Sequence, residues 1–441
     1  MKISKIEIKD FHQFKDFTLD LTYPKGHEKE GQPLNKVCFI GQSGTGKTTL
    51  LELIPFYLYG YYSNLLNKSS NSIFMNKIEI SILFGENHKN TTKLFVNTNE
   101  NIITNSLISD TILDKIFSEY LFWINDKASK LIYFPANLNF DLESSEISNT
   151  LENKVIIDFS KEKVSTIWNI ILEKIQAYQE QELKIRQDIS KIVEKSSSDL
   201  NIIQEAVKKL EDWKKKEFNP VKDVADNCLD ALLAKYKLRV KTEFDFNTKD
   251  DIGFIKIEDY NGNEIPHGLW STGTKQVILS ALPLYLLKPK HTVILFDEPE
   301  RSLYPDLQRT IVDYYTSLTT DCQFFYSTHS PIIASSFEPW EIVELKFNDK
   351  GKIYREVYYE GENHVDNYKW NPKFMRWDDI LQRVFDLEND GSPARKDKLD
   401  ELATLNVKYR KLTKKGEENT PDAIELIKRI ETLSKALSKW D

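Results

Sequence analysis

A glycine-rich stretch near the start of the chain has the residue types and spacing of a phosphate-binding loop. It fits G-x-x-x-x-G-K-[ST], follows an apolar run typical of a strand, and leads into an apolar helical pattern. Its glycines let backbone N–H groups turn towards phosphate oxygens, while its lysine adds a point charge and its threonine can ligate Mg²⁺. The predicted nucleotide-binding residues here are Gly41, Gln42, Ser43, Gly44, Thr45, Gly46, Lys47, Thr48 and Thr49, with Thr48 also a Mg²⁺ ligand.

Two adjacent carboxylates follow a second apolar run. The run Val293–Phe296 is typical of a strand, and Asp297 and Glu298 come directly after it. Such a strand lies beside the phosphate loop in this class of fold, so Asp297 is predicted to hold Mg²⁺, directly or through water. Glu298 is predicted to polarise the attacking water. The alternative, a strand that merely ends in acids before a proline turn, is disfavoured by the phosphate loop.

A histidine follows a third strand-like run. His329 comes two residues after the run Gln323–Ser327. A lone histidine is more often structural, but at the end of a strand of the same sheet its imidazole could meet the γ-phosphate and report its loss. We therefore predict that His329 is catalytic, together with Glu298 and Lys47.

A Ser-Thr-Gly segment precedes an apolar helical pattern at residues 276–287. By itself the segment is an ordinary helix N-cap and loop. Beside the three motifs above, its serine hydroxyl and glycine N–H form an anion site, which in a head-to-tail dimer would close over the γ-phosphate held by the other subunit. This interpretation adds Ser271, Gly273 and Gln276 to the predicted nucleotide-binding residues.

The composition bounds the class of protein. The chain has 441 residues, 40% hydrophobic and 29% charged, which predicts a folded protein with more than one structural unit. Its formal net charge is −8, so any nucleic-acid contact must come from a local patch. Three widely spaced cysteines predict reduced thiols and a cytoplasmic location. The chain begins on a strand pattern instead of a signal peptide, and no apolar run reaches the roughly 20 residues of a membrane span.

Hydrophobic periodicity divides the chain into four segments. Strand patterns dominate residues 1–158 and return over 239–362, which predicts one discontinuous α/β unit with a mixed sheet. Residues 159–238 show helical spacings interrupted by a serine turn, which predicts an inserted helical hairpin. Residues 363–441 predict a helical C-terminal subdomain.

The charges of the two helical segments are balanced. Residues 160–217 carry 12 Lys/Arg and 11 Asp/Glu, and residues 365–441 carry 16 and 15. This balance favours arms that contact proteins, with a DNA-gripping hairpin as the alternative.

Together, these motifs resemble those of the ABC-type ATPase heads of the SMC, RecF and OLD class. Residues 41–48 resemble Walker A, residues 271–276 the signature, residues 293–298 Walker B, residues 300–305 the D-loop, and His329 the switch histidine. The resemblance implies an ABC-type P-loop head that binds ATP and Mg²⁺, dimerises head to tail and hydrolyses ATP.

Two of the motifs look like the OLD-like branch found in bacterial anti-phage defence. They are residues 297–300, Asp-Glu-Pro-Glu, and residues 327–331, Ser-Thr-His-Ser-Pro. The resemblance implies a sensor or switch subunit, as in Septu-type or PARIS-type systems, that controls a separately encoded effector, expected to be a nuclease, docked on the C-terminal helices. The chain lacks the Asp-x-Asp of the nuclease domain that several relatives carry, so no intrinsic nuclease is predicted. A DNA-repair or chromosome-organising ATPase that clamps DNA is the alternative.

The chain departs from this class at four positions. His12 follows Phe11 where the class usually has arginine, Lys275 stands where transporter-type signatures have glycine, and Tyr304 stands where this branch often has histidine. No glutamine occupies the expected Q-loop. Asn137, which follows a strand-like run, is the proposed substitute and a further candidate Mg²⁺ ligand.

Overall fold

The computed structural model describes most of the chain, in several ranges. These are residues 2–55, 131–138, 154, 156–195, 200–243, 255–357, 371–385, 387 and 392–437. They fall into two compact units, Met1–Met375 and Arg376–Asp441. The sequence patterns at residues 78–84 and 92–96 also predict strands, and both ranges lie outside the described residues. The four-segment division of the chain remains a prediction.

A large mixed sheet forms the centre of the first unit. Within the described residues it has nine strands, in the order β1-β2-β12-β11-β3-β10-β9-β4-β5. A smaller sheet contains β6, β7 and β8. The strands are β1 (Lys5–Phe11), β2 (Phe14–Asp20), β3 (Lys36–Gly41), β4 (Leu131–Phe134), β5 (Ile156–Asp158), β6 (Leu238–Val240), β7 (Ile257–Asp259), β8 (Glu264–Ile265), β9 (Val293–Asp297), β10 (Gln323–Ser327), β11 (Ile342–Phe347) and β12 (Ile353–Glu356).

The middle of the large sheet is parallel, and its two central strands are fully buried. β11, β3, β10, β9, β4 and β5 run parallel to their neighbours, whereas β1–β2 and β11–β12 are antiparallel. Every residue of β9 and β10 is buried, as expected for apolar strands covered on both faces. The register places Ser327 of β10 beside Phe39 of β3 and Asp297 of β9. The carboxyl ends of these three strands therefore meet at one edge. The predicted α/β fold class is confirmed.

The helices of the first unit pack around this sheet and also form a hairpin. A helix that includes residues 47–55 (α1) follows β3. The later helices are α2 (Asn169–Lys195), α3 (Leu200–Lys216), α4 (Pro220–Val224), α5 (Asp230–Leu233), α6 (Thr272–Leu287), α7 (Pro305–Ser317) and α8 (Pro331–Ala334). α2 and α3 are the two helices of the predicted hairpin.

The hairpin is stabilised by an aromatic pair and a buried ion cluster. Tyr178 of α2 packs on Trp213 of α3, with ring centroids 4.8 Å apart. The buried carboxylate of Glu182 accepts from Arg186 at 2.7 Å and pairs with Lys214 at 3.0 Å. Breaking such a buried pair leaves an uncompensated charge, so the cluster specifies how the two helices meet.

The second unit is helical, as the sequence predicts. It contains α9 (Trp377–Arg383), α10 (Pro393–Lys414) and α11 (Pro421–Leu437). Arg429 and Glu401 form an ion pair between α10 and α11, at 2.8 Å, yet no residue of α10 is fully buried. Across the described part of the chain, none of the helices has the length and apolar character needed to cross a membrane.

Two element boundaries differ from the sequence-based expectation. The helix expected from Gln276 begins at Thr272, because the Ser271 side chain caps it by accepting a hydrogen bond from the Thr274 N–H at 3.1 Å. The run Val240 to Phe246 predicts a strand that starts at Val240, whereas β6 ends at that residue, and residues 244–246 lie outside the described residues. Lys237 has a φ of +60°, which turns the chain early into β6.

Candidate nucleotide-binding site

The sheet register brings three predicted motifs to one edge. The phosphate loop leaves the end of β3 and enters α1, Asp297 ends β9, and His329 lies just beyond β10. Because parallel strands present their carboxyl ends on the same side, these segments surround one cleft. The cleft has a volume of about 740 Å³. It is lined by His12, Gln13, Phe14, Ser43, Gly44, Gly46, Lys47, Thr48, Thr49, Glu298 and His329.

Two glycines of the loop are required by close backbone approaches. Gly41 has a φ of +140°, and a side chain there would collide with the Leu345 carbonyl oxygen of β11. Gly46 has a φ of +79°, and a Cβ there would lie 2.5 Å from the Phe14 ring. Both positions therefore exclude other residues on conformational and steric grounds.

Lys47 is held inside the loop. Its side chain is only 5% exposed, and its Nζ donates to the carbonyl oxygens of Gly41 at 2.9 Å and Gln42 at 3.0 Å. Burial lowers the Lys47 pKa to about 8, and the nearby carboxylates of Glu298 and Asp297 oppose the shift. The amine thus has carbonyl partners that a phosphate could replace with a stronger, charge-assisted interaction.

Thr48 and Asp297 form the candidate magnesium site. The Thr48 hydroxyl lies 3.1 Å and 3.0 Å from the two carboxylate oxygens of the buried Asp297. Burial is the main cause of the raised Asp297 pKa, so a compensating positive charge would be favourable there. A hydroxyl and a carboxylate are oxygen ligands of the type that Mg²⁺ prefers, so the donor set fits this ion. Bound there, the ion would neutralise phosphate charge.

Glu298 and His329 lie across the same cleft. Glu298 has a φ of +45°, and its N–H donates to the Ser327 carbonyl oxygen at 2.8 Å, which ties the end of β9 to the end of β10. Partial burial of the His329 ring and the charge of Lys47 lower the His329 pKa, while Glu298 opposes the shift. The imidazole is therefore mainly neutral at neutral pH and can both donate and accept a hydrogen bond.

The predicted signature residues lie outside this cleft. Ser271 is exposed at the start of α6, and its hydroxyl contacts that of Thr274 at 2.8 Å. Gly273 is packed so closely that a Cβ there would lie 2.6 Å from the Ser302 carbonyl oxygen. Gln276 is almost completely buried in the helix. One chain thus brings the phosphate loop, Asp297, Glu298 and His329 together but not the signature. Asn137 is exposed after β4 and is not among the cleft-lining residues.

Sequence reasoning missed one wall of the cleft. His12 appears there only as a departure from a family pattern, whereas the structure places it in the lining with Gln13 and Phe14. Phe14 reaches the loop because β1 and β2 form a hairpin, and its ring packs where Gly46 has no side chain. The available sequence signal was the phenylalanine-rich turn between two strands, which no local motif connects to residue 46.

The match to a sequence family identifies the class of this chain. Residues 1–334 match the family described as "AAA ATPase domain". The chain belongs to this family. Together with the phosphate loop and the sheet register, membership shows a P-loop ATPase of mixed α/β fold. Among curated proteins, no sequence matches the chain.

Two solved structures are similar to this AAA ATPase domain protein. One is an SMC head bound to the C-terminal winged-helix domain of ScpA, at 14% identity and a TM-score of 0.42, covering 81% of this chain and 97% of that one. The other is an SMC head with an extended coiled coil bound to the C-terminal domain of ScpA, derived from Pyrococcus furiosus, at 14% identity and a TM-score of 0.43. It covers 80% of this chain and 96% of that one.

Proposed function

We propose that this chain is an ATP-hydrolysing sensor and switch of the SMC, RecF and OLD-like class, in which two copies join head to tail around ATP. The observation that carries the proposal is the split between the two predicted halves of the site. Lys47, Thr48, Glu298 and His329 line one cleft, and Asp297 contacts Thr48 beside it. The exposed Ser271 lies outside this cleft. A second copy would supply the missing half.

Each cleft residue has a distinct role in this proposal. Lys47 and the N–H groups of the loop bind the phosphates, and Thr48 and Asp297 hold Mg²⁺. Glu298 orients and polarises the attacking water, and His329 contacts the γ-phosphate. The mainly neutral imidazole of His329 suits this role because it can donate one hydrogen bond while accepting another.

The surface around Ser271 supports a protein partner. Ser271 caps α6, a 16-residue helix whose N-terminus favours anions. Leu269 is 75% exposed and Tyr304 is 68% exposed, and both lie within a few residues of contacts made by the signature segment. Large apolar side chains exposed beside an anion site are typical of a surface that another protein covers.

A variant that binds ATP without hydrolysing it tests whether two copies of the chain form a dimer. Glu298→Gln should bind ATP without hydrolysing it and elute with light-scattering mass twice that of one chain, at saturating ATP and Mg²⁺. The matched control combines Glu298→Gln with Lys47→Met and should stay monomeric. A strictly monomeric Glu298→Gln protein under these conditions would overturn the dimer.

We further propose that the switch acts in the cytoplasm on a co-encoded effector, a nuclease, in an anti-phage defence complex. The support is the resemblance of residues 297–300 and 327–331 to the OLD-like branch, together with the exposed apolar residues of the C-terminal hairpin. Val407 of α10 is 53% exposed and Ile424 of α11 is 47% exposed. These two exposed apolar residues are the proposed contacts for the effector.

Affinity purification of the chain from its native cell, with the co-purifying proteins identified by mass spectrometry, tests the effector, and a co-purifying nuclease is the expected result. The double variant Val407→Asp and Ile424→Asp should lose co-purification of the nuclease, while Val207→Asp, at a 43% exposed position of the other hairpin, should keep it. Filter binding to duplex DNA at two salt concentrations tests the opposite outcome. Steep salt dependence with DNA-stimulated hydrolysis would replace the effector switch by a DNA clamp.

A further inference from the structure

A carboxylate outside the predicted site holds the loop that carries His329. Glu300 follows Glu298 and Pro299, where the chain leaves β9. Its Oε1 accepts a hydrogen bond from the Thr328 hydroxyl at 2.6 Å and one from the His329 N–H at 3.0 Å. Its Oε2 is buried and has no hydrogen-bond partner among the described residues. The carboxylate thus binds the backbone of the histidine itself.

A second hydrogen-bonded link joins the same two segments. The Ser330 hydroxyl donates to the Gln308 side-chain oxygen at 2.6 Å, and the Gln308 amide donates to the Leu303 carbonyl oxygen at 2.9 Å. Ser330 also donates its N–H to the Thr328 hydroxyl at 2.9 Å. Residues 328–330 are therefore anchored to residues 300–308 on both sides of His329.

The anchoring segment also touches the signature. Ser302 has a φ of +63°, and its carbonyl oxygen is the atom that a Cβ at Gly273 would approach. The turn at residues 300–303 thus contacts the His329 loop through Glu300 and the start of α6 through Ser302. A movement of this turn would displace both the His329 loop and the start of α6, because close-packed contacts do not deform freely.

Among the described residues, no hydrogen bond to the His329 ring is found. The residue is exposed at the wall of the cleft, so packing restrains its imidazole only in part. Its N–H bond to Glu300 is charge-assisted, which makes it stronger than a neutral bond. The position of the imidazole therefore depends on the backbone, and the backbone depends on Glu300.

We propose that Glu300 is a positioning residue for hydrolysis, which places the His329 imidazole in the cleft and ties it to the turn that contacts the signature. This inference rests on the proposed function, in which His329 contacts the γ-phosphate. Glu300 itself touches no substrate. Its effect is on the rate of the chemical step and not on nucleotide affinity.

Two substitutions of Glu300 distinguish its role as a hydrogen-bond acceptor from the space that its side chain fills. Glu300→Gln keeps an oxygen that can accept both hydrogen bonds, and Glu300→Leu keeps the approximate volume without an acceptor. We expect kcat to fall at least about tenfold in Glu300→Leu, since a 1 Å misplacement can cost on the order of 100-fold. KM should stay within about threefold.

Another buried glutamate, Glu341, provides the control for the Glu300 substitutions. Glu341→Leu removes another buried glutamate, one that accepts the Glu338 N–H at 2.9 Å and lies near Lys36, at the opposite end of β3 from the phosphate loop. It should lower the melting temperature and leave kcat unchanged. A Glu300→Leu enzyme with wild-type kcat, or a Glu300→Gln enzyme as slow as Glu300→Leu, overturns the proposal.

A double-mutant cycle shows whether Glu300 acts through His329. In His329→Ala the imidazole is gone, so adding Glu300→Leu should lower kcat less than about twofold further, whereas independent effects would multiply. If Glu300→Leu does not fold, Glu300→Ala takes its place, because alanine also removes the acceptor of the His329 N–H. Unchanged kcat in Glu300→Ala then overturns the proposal.

The cycle also separates this inference from the proposed function. A slow His329→Ala enzyme with a fully active Glu300→Leu enzyme refutes only the positioning role. A fully active His329→Ala enzyme refutes the role of the histidine and the inference that rests on it. Hydrolysis that persists in Glu298→Gln refutes the proposed function itself.

Discussion

The two predicted halves of the nucleotide site differ in how completely one chain builds them. The cleft half is assembled by three buried parallel strands, and Lys47, Thr48 and Asp297 already hold one another or the loop through hydrogen bonds. The signature half lies on one helix end. Ser271 is exposed there, and its hydroxyl bonds only to residues of its own first turn among the contacts described.

The cleft half of the site is preorganised for a ligand, and the signature half is less so. Strand register fixes the cleft half before any ligand binds, so its side chains lose little further freedom on binding. The signature half has a helix dipole and a cap but no enclosing wall. If the proposed dimer is correct, substitutions in the cleft half should reduce binding and hydrolysis, and substitutions in the signature half should reduce hydrolysis alone.

Lys47→Met should have the largest effect. It removes the buried cation of the loop, and loss of one charge-stabilising donor lowers kcat by roughly 100- to 1000-fold. ATP binding should weaken as well, because in the proposed function Lys47 contacts the phosphates in the ground state too. Calorimetric titration and a phosphate-release assay measure the two effects.

Lys36 provides the matched control for Lys47. It begins β3, donates to the Ser336 carbonyl oxygen at 3.1 Å and does not line the cleft. Lys36→Met should therefore leave hydrolysis within about twofold of wild type. Equal loss in the two variants would mean that the cleft half has no special role.

Ser271→Ala should have the next largest effect and should separate the two halves. Hydrolysis should fall at least about tenfold, because one donor to the partner's phosphate is lost. ATP binding to the dilute monomer should change by less than about twofold, since Ser271 lies outside the cleft of its own chain. Loss of the helix cap should also reduce stability by about 1 kcal/mol.

Ser392→Ala controls for the loss of the cap. Ser392 caps α10 in the same way, by accepting the Arg395 N–H at 3.3 Å. It should show a similar loss of helix stability and full hydrolysis. If Ser271→Ala hydrolyses ATP at the wild-type rate, the signature half is only an ordinary helix start.

The cleft half was more predictable from the sequence than the signature half. The phosphate loop, the strand before Asp297 and the strand before His329 all occur where the sequence places them. Each is a local sequence pattern at the end of a strand, and neighbouring parallel strands bring their carboxyl ends to the same edge of the sheet. The motifs and their position after strands therefore predicted both the residues and the edge where they lie together.

The start of α6 was not predictable in the same way. Residues 271–276 are polar and lack a helical hydrophobic period, so the pattern began only at Gln276. The structure begins the helix at Thr272 because the Ser271 cap and the packing of Gly273 on Ser302 fix the first turn. The contacts of Phe14 with Gly46 and of Glu300 with His329 are equally invisible to local patterns, since they join residues 28 or more positions apart.

Gly273→Ala should have a smaller effect than Ser271→Ala, and its main effect should be a loss of stability. The new Cβ would lie 2.6 Å from the Ser302 carbonyl oxygen and 2.9 Å from the Tyr236 hydroxyl, so the turn must move. Overpacking of this kind typically costs about 1–3 kcal/mol. Chemical denaturation measures the cost. Gly268→Ala, three residues before Ser271, meets no atom within 4 Å and should be close to neutral. A neutral Gly273→Ala would show that the signature is not held by the turn.

The smallest expected effect is a change in the His329 pKa when Glu298 is replaced by glutamine. This measurement tests the cleft half alone. Partial burial and the positive charge of Lys47 lower this pKa, while Glu298 raises it. Protonation is thus disfavoured, and the neutral imidazole should persist as pH falls to the usual histidine value of about 6.5. In Glu298→Gln the opposing negative charge is lost, so the His329 pKa should fall further. NMR titration of histidine-labelled protein measures this shift, with the wild-type protein titrated in parallel as the reference. A His329 pKa that rises in Glu298→Gln would mean that the two residues do not face each other across the cleft.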